Sequence, residues 1–264
     1  ALGNSMMLRL AMRMTKADAA SAQAWAVKAI SGGIIASNAG NAVIAHTDGP
    51  EGINKNGHGE VFDVDSQMRM SATFGAHLAG DPRLSVLFAP GNSNAAGEII
   101  GMPNGRTSDD YTGADGQTYA GVADRHIYAQ THPALRKKDV PMVLLTTAEV
   151  HFLIGEAIIR GWVSGDAKTY YDAGVTAAMT MLADFYPDST PIAQADIDAF
   201  LAGPGAYDSS KGWEMLMNEY WKATFLNEYE AYANWRRTGY PTLSPTQHPN
   251  SVSGNQIMRR MIYP

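Results

Sequence analysis

Three tyrosines in one turn-rich stretch, Tyr111, Tyr119 and Tyr128, stand near Arg106, Arg125 and His126, and this is where the side chains best suit a ligand. A sugar ring offers C–H faces to an aromatic ring, and planar cations and amides hydrogen-bond its hydroxyls. These six residues form a carbohydrate-binding candidate set. A purely structural alternative stays open, in which the tyrosines only pin the loop to neighbouring helices.

Patterns for catalysis or metal binding are weaker. None of the seven histidines takes a metal-ligand spacing such as H-E-x-x-H. His126 and His132 lie six apart in a loop and read as hydrogen-bonding residues, and His151 beside Phe152 reads as a packing residue. Asp63 and Asp65, or Asp109, Asp110 and Asp115, lack the calcium-loop frame and read as turn residues that bond their own backbone. Gly91-Asn92-Ser93-Asn94-Ala95 misses the last glycine of a nucleophile elbow, and Gly57-His58-Gly59 the third glycine of a dinucleotide fingerprint. A glycosidase would need two carboxyl groups about 5 to 9.5 Å apart, a distance that sequence does not show. Glu149, Glu156, Glu228 and Glu230 read as helix-surface or scaffold charges. No catalytic residue, metal site or cofactor is expected.

The elements that must position these residues are mainly helical. Residues 1–33 make a helical hairpin: Met6 or Met7, Leu10, Ala11 and Met14 share one face, and Asp18 is an N-cap candidate. A second helix through Ala22, Trp25, Ala26, Ala29 and Ile30 stops at Gly32-Gly33. Residues 146–183 repeat the arrangement, with Val150, Leu153, Ile154, Ala157 and Ile158 on one helix, Glu156 one turn before Arg160, and Asp166 as the next N-cap. Helix, short loop, helix, with small and aromatic residues at the contact, is the logic of tetratricopeptide-like repeats. The intact W-x2-L-G-x2-Y signature is absent, so the pattern leaves a generic bundle open.

Residues 34–145 are dense in Gly, Asn, Asp and Pro and far exceed an ordinary connection. Their aromatics argue for an irregular but folded segment. Residues 184–264 read as a loop with a helical turn or two at Asp196–Leu201, then one long aromatic helix and a tail. That helix carries Tyr220, Trp221, Phe225, Tyr229 and Tyr232 on an apolar face, read as core. Arg236 and Arg237 suit its last turn, Gly239 can take the left-handed position after it, and Pro241 prevents continuation.

Composition excludes several classes. The net charge of −6 comes with no basic stripe, so nucleic acid is not an expected partner. Cysteine is absent, which removes disulfides, thiolate nucleophiles and cysteine metal sites. No stretch approaches the roughly 18 to 20 apolar residues of a membrane span. The chain opens directly on an amphipathic pattern, without a basic region or a long apolar run, and a piece of a longer protein is expected.

Several runs in order resemble the SusD/RagB family of outer-membrane nutrient-binding lipoproteins. Asn4 to Arg13 resembles its N-S-x-x-L-R-L-A-M-R helix, and Asp81-Pro82-Arg83-Leu84 its D-P-R-L element. Ala148 to Trp162 is similar to A-E-V-x-F-L-x-x-E-A-x-x-R-G-W. Trp235-Arg236-Arg237-Thr238-Gly239-Tyr240-Pro241 and Arg259-Arg260-Met261-Ile262-Tyr263-Pro264 resemble its last helix and its C-terminal run.

The resemblance implies an all-α, tetratricopeptide-like α-α superhelix with long irregular loop insertions, forming the C-terminal part of one SusD-like domain. It further implies non-enzymatic binding of oligosaccharides on the cell-surface side of the outer membrane. Delivery would be to a SusC-like TonB-dependent transporter, with attachment through a lipid anchor outside this chain. The family's lipidated cysteine and first repeats have no counterpart here. A helical-repeat scaffold for peptide or protein ligands is the alternative, and a surface glycosidase a more distant one.

Overall fold

The computed structural model describes residues 1–49, 53–64, 68–105, 124–247 and 251–259. Helices α1 (Leu2–Arg13) and α2 (Ala19–Ser31) form the first hairpin. An irregular segment follows, containing β1 (Ala42–Ile44), α3 (Gly57–Val64), α4 (Ala72–His77), α5 (Leu84–Leu87), β2 (Phe88–Ala89) and β3 (Gln130–Thr131). Strand β4 (Met142–Leu145) leads into the second hairpin, α6 (Thr147–Ile159) and α7 (Ala167–Phe185). Helices α8 (Gln194–Ala202), α9 (Gly212–Ala223) and α10 (Glu228–Thr238) complete the chain. The fold is the expected mainly helical α-α superhelix, and its strands only stitch the irregular segment. β1 pairs antiparallel with β4, and β2 with β3.

Local sequence chemistry sets the helix ends. Asp18 accepts a hydrogen bond from the Ser21 amide at 3.0 Å, and Asp166 from the Lys168 amide at 3.1 Å. Helix α6 opens with a reciprocal capping box, in which Thr146 and Glu149 bond each other's backbone amides, both at 3.1 Å. Gly174 of α7 lies against Phe152, where an added Cβ would meet the ring at 2.4 Å, so only glycine lets α6 and α7 approach this closely. Gly239 has φ +83 at the end of α10, as the punctuation predicts.

Three networks of buried charge fasten these helices. Arg83 Nη2 lies 2.7 Å from Glu219 Oε2, and its Nε 2.8 Å from Asp81 Oδ1. Lys222 Nζ bonds Glu219 Oε1 at 2.6 Å and Asp81 Oδ2 at 3.2 Å. Burial pushes the Asp81 carboxyl up, but Arg83 and Lys222 outweigh it and hold the group below its usual range. In the second network Arg9 bonds Glu149 at 2.6 Å, and Arg13 pairs with Glu230. The Tyr220 hydroxyl lies 3.1 Å from Glu149 Oε2 and 2.8 Å from Glu230 Oε1. Third, Arg237 grips both oxygens of Glu156 at 2.5 and 2.7 Å, with Arg160 adding a bond at 2.8 Å.

These contacts correct four sequence expectations. For Glu149, Glu156 and Glu230 the helix-surface alternative falls and the scaffold one stands, since they are buried where arginines from distant segments reach them. The long aromatic helix is two helices. The Thr224 hydroxyl turns back onto the Tyr220 carbonyl at 2.9 Å, and Leu226 takes φ +63, so the axis changes direction before α10. That change leaves Tyr229 87% and Tyr232 40% exposed, although Tyr220 is wholly buried. On the first hairpin, Leu10 and Trp25 face outward, and Lys28 lies 4.7 Å over the Trp25 ring.

Two stability outcomes follow from this architecture. Gly239→Ala should destabilise by about 1 kcal/mol in urea unfolding, because the added methyl meets no atom and only the positive φ opposes it. Arg83→Ala should destabilise by about 3 to 5 kcal/mol in the same assay, since it leaves two buried carboxylates, Asp81 and Glu219, to the single cation Lys222.

Candidate functional site

The loop-rich segment meets the helices at several places, one of them beside the turn between α9 and α10. Backbone bonds hold residues 68–72 between two others: Met70 N donates to the Ala129 carbonyl at 2.8 Å, and Met102 N to the Met70 carbonyl at 2.7 Å. Both stems of the loop that contains the predicted ligand residues therefore flank residues 68–72. Opposite stands the turn between α9 and α10. Between them lies a cleft of about 340 Å³ with Phe62, Arg69, Phe74, Trp221, Phe225 and Glu228 in its lining.

Phe74 is the hub of the aromatic wall. It stacks on Phe225 at 5.3 Å and 21°, and meets Trp221 edge-on at 4.8 Å and 76°. Phe88 closes the back, edge-on to Phe74 at 5.8 Å. Leu226, held in the left-handed region, completes the wall, so a strained residue shapes the cleft. The polar rim carries Arg69, whose Nη2 donates to His126 Nδ1 at 2.8 Å, and Glu228, 3.1 Å from His58 Nε2. Ser71 and Thr131 add hydroxyls. Apolar rings below and hydrogen-bonding groups at the edge form a surface that can hold an amphipathic ring such as a sugar.

The predicted site residues fall out unequally. His126 reaches the rim through Arg69. Tyr128 is 3% exposed and packs inward, so it presents no ring face to a ligand, which corrects the expectation for that residue. Its neighbour Ala129 is held between Met70 and Ile100 by backbone bonds, which draws this stem of the loop into the core. Arg125 lies in a short 3-10 turn (Asp124–Ile127), and its side chain is outside the described residues, as are Arg106, Tyr111 and Tyr119. Phe74, Phe225 and Arg69 were missed. The signal for Phe225 was present in the helical spacing but was read only as core.

Other sequence readings resolve as hydrogen bonding. His132 accepts from the Ala134 amide at 3.2 Å. His151 packs 5.9 Å from the Tyr170 ring, and its Nδ1 has no hydrogen-bond partner. Asp63 pairs with Lys138 at 2.6 Å. Among the described residues no group of three or more His, Asp or Glu stands close enough to hold a metal ion, and no helix is long and apolar enough to cross a membrane.

A family model described as starch-binding associating with outer membrane matches residues 1–264. The chain belongs to the SusD-like family. A solved chitin-binding protein shares 31% identity at a TM-score of 0.85, over 99% of this chain and 56% of its own. A SusD homologue from Bacteroides vulgatus shares 27% identity at a TM-score of 0.70, over 94% of this chain and 52% of its own. A chitin-binding SusD homologue from Flavobacterium johnsoniae shares 23% identity and the fold, at a TM-score of 0.70, over 96% of this chain and 53% of its own. The chain thus spans a little over half the length of these SusD-like relatives. No curated protein matches it.

The rim pair generates a pH test. The hydrogen bond to Glu228 raises the His58 pKa above its ordinary value. The pair's contribution is therefore full below about pH 6.5 and is lost as pH rises through the raised value. His58→Gln should lower the thermal midpoint at about pH 6 and leave it nearly unchanged at about pH 9. An equal loss at both would show that the imidazolium charge is not involved.

Proposed function

We propose that this chain is part of a non-enzymatic glycan-binding protein on the cell-surface side of the outer membrane. It passes oligosaccharides to a SusC-like TonB-dependent transporter and is held at the membrane by a lipid anchor outside these residues. The observation that carries the reading is the aromatic cleft with its Arg69–His126 and His58–Glu228 rim, in a chain of a starch-binding family. The chitin-binding relative at 31% identity adds β-linked N-acetylglucosamine chains as a ligand class beside α-glucans.

The cleft fits binding better than turnover. Among the described residues Glu228, paired with His58, is the one carboxylate that lines the space. Glu149 and Glu230 are close to each other but sealed in the core by Arg9, Arg13 and Tyr220. They hold helices and meet no ligand.

Titration calorimetry with malto- and chito-oligosaccharides tests the reading. The protein should bind at least one series without releasing shorter sugars. Arg69→Ala should weaken binding several-fold with a small change in thermal midpoint, and Phe225→Ala should weaken it by about fivefold or more through the lost ring face. Hydrolysis abolished by replacing one carboxylate would overturn the non-enzymatic assignment. Unchanged affinity in both variants would move the site out of the cleft.

A further inference from the structure

The inner face of α9 opposite the cleft carries a second, different pocket. Met215, Asn218, Glu219 and Lys222 fall at helical spacing on this face. They meet His77 from the end of α4, Tyr171 from α7, and Phe200 and Pro204 from the α8 region, around a space of about 160 Å³. Among the described residues the pocket and the cleft share none of their lining. The edge-on pair His77 and Trp221, at 5.3 Å, stands between them. A vestibule of about 340 Å³ at Gly80, Asp81 and Asp196 shares Phe200 and Pro204 with the pocket and gives it an outlet.

Three of its polar side chains offer hydrogen-bonding atoms that no described residue uses. Asn218 Oδ1 is sheltered from solvent and has no hydrogen-bond partner. Tyr171 is 1% exposed, and among the described residues its hydroxyl makes no hydrogen bond, nor does the His77 ring. Unmatched buried polar atoms are costly unless something else fills their bonds. Together they present both donors and acceptors: a hydroxyl, an amide and an imidazole that burial keeps neutral.

Charge narrows the ligand. Glu219 and Lys222, the ionised groups of the lining, are already paired with Arg83 and Asp81 in the buried quartet, whose formal charges cancel. An anion or a cation would enter with no counter-charge to meet it. Phe200, Met215 and Pro204 supply apolar wall for C–H faces. A neutral ring bearing hydroxyls satisfies both surfaces.

We propose that this pocket is a second binding site, distinct from the cleft, that takes one neutral monosaccharide unit. The unit is held by Tyr171, Asn218 and His77, and any attached chain leaves through the Gly80–Asp196 vestibule. The site stands on its own lining, whether or not the cleft binds oligosaccharide.

Glucose and N-acetylglucosamine are the probes, followed by ligand-detected NMR and by crystals grown with each sugar. At least one should bind in the millimolar range and appear in the pocket. Tyr171→Phe removes a hydroxyl with no protein partner, so it should keep the thermal midpoint and weaken binding about fivefold. Asn218→Ala should weaken binding similarly, and Phe225→Ala in the cleft should not. Three results would overturn the proposal: no binding of either sugar, ordered water alone in the pocket, or sensitivity to Phe225→Ala with none to Tyr171→Phe.

Discussion

The structure depends on bringing arginines to carboxylates that are sealed from water. Glu149, Glu156 and Glu219 are almost wholly buried, and each would be a heavy liability without its cation. Their partners come from elsewhere in the chain: Arg9 from the first helix, Arg237 from the last, and Arg83 from the irregular segment. A hydrophobic face tolerates a range of packings, whereas a bidentate ion pair accepts one. The networks therefore set the register of α1, α9 and α10 on the α6–α7 pair.

That division of labour explains where the two cavities lie. Helix α9 is fastened along one face by the Asp81–Arg83–Glu219–Lys222 quartet, while its Trp221, with Phe225 from the turn that follows, faces the loop-rich segment. Both spaces border α9, the cleft also the turn that follows it. Ligand groups on a fixed helix keep their spacing, while the loop opposite is free to differ between relatives of the same fold.

Much of the scaffold was legible because its signals are local. Asp18, Asp166 and Gly239 act within a few residues of themselves, so capping rules place them. The same spacing arguments misjudged what distance decides. Glu149, Glu156 and Glu230 look like surface charges until an arginine from across the chain is seen to cover them. Trp25 and Leu10 fit an apolar stripe, yet the hairpin leaves them outward. The break at Thr224–Asn227 has no proline or glycine to announce it, since a threonine back-bond and a left-handed leucine make it. Of the candidate set, His126 meets the rim only as the hydrogen-bond partner of Arg69. Phe74 and Arg69 reach the cleft only because residues 68–72 are clamped between two loop stems, and no periodicity carries that. Asn218 and Tyr171 were hidden for a related reason, because what marks them is a missing partner.

The wide separation of the network partners has a consequence for how the chain is assembled. Arg9 meets Glu149 from 140 residues away, and Arg13 meets Glu230 from 217 residues away. Contacts of such separation form slowly, because a long loop must close before any of them contributes. During synthesis Arg9 and Arg13 emerge before Glu149 and Glu230, the carboxylates they pair with. Packing of the first helix is therefore among the last events, completed when the final helix arrives. Until then the side of the first helix that meets α6 and α10 waits for its partners.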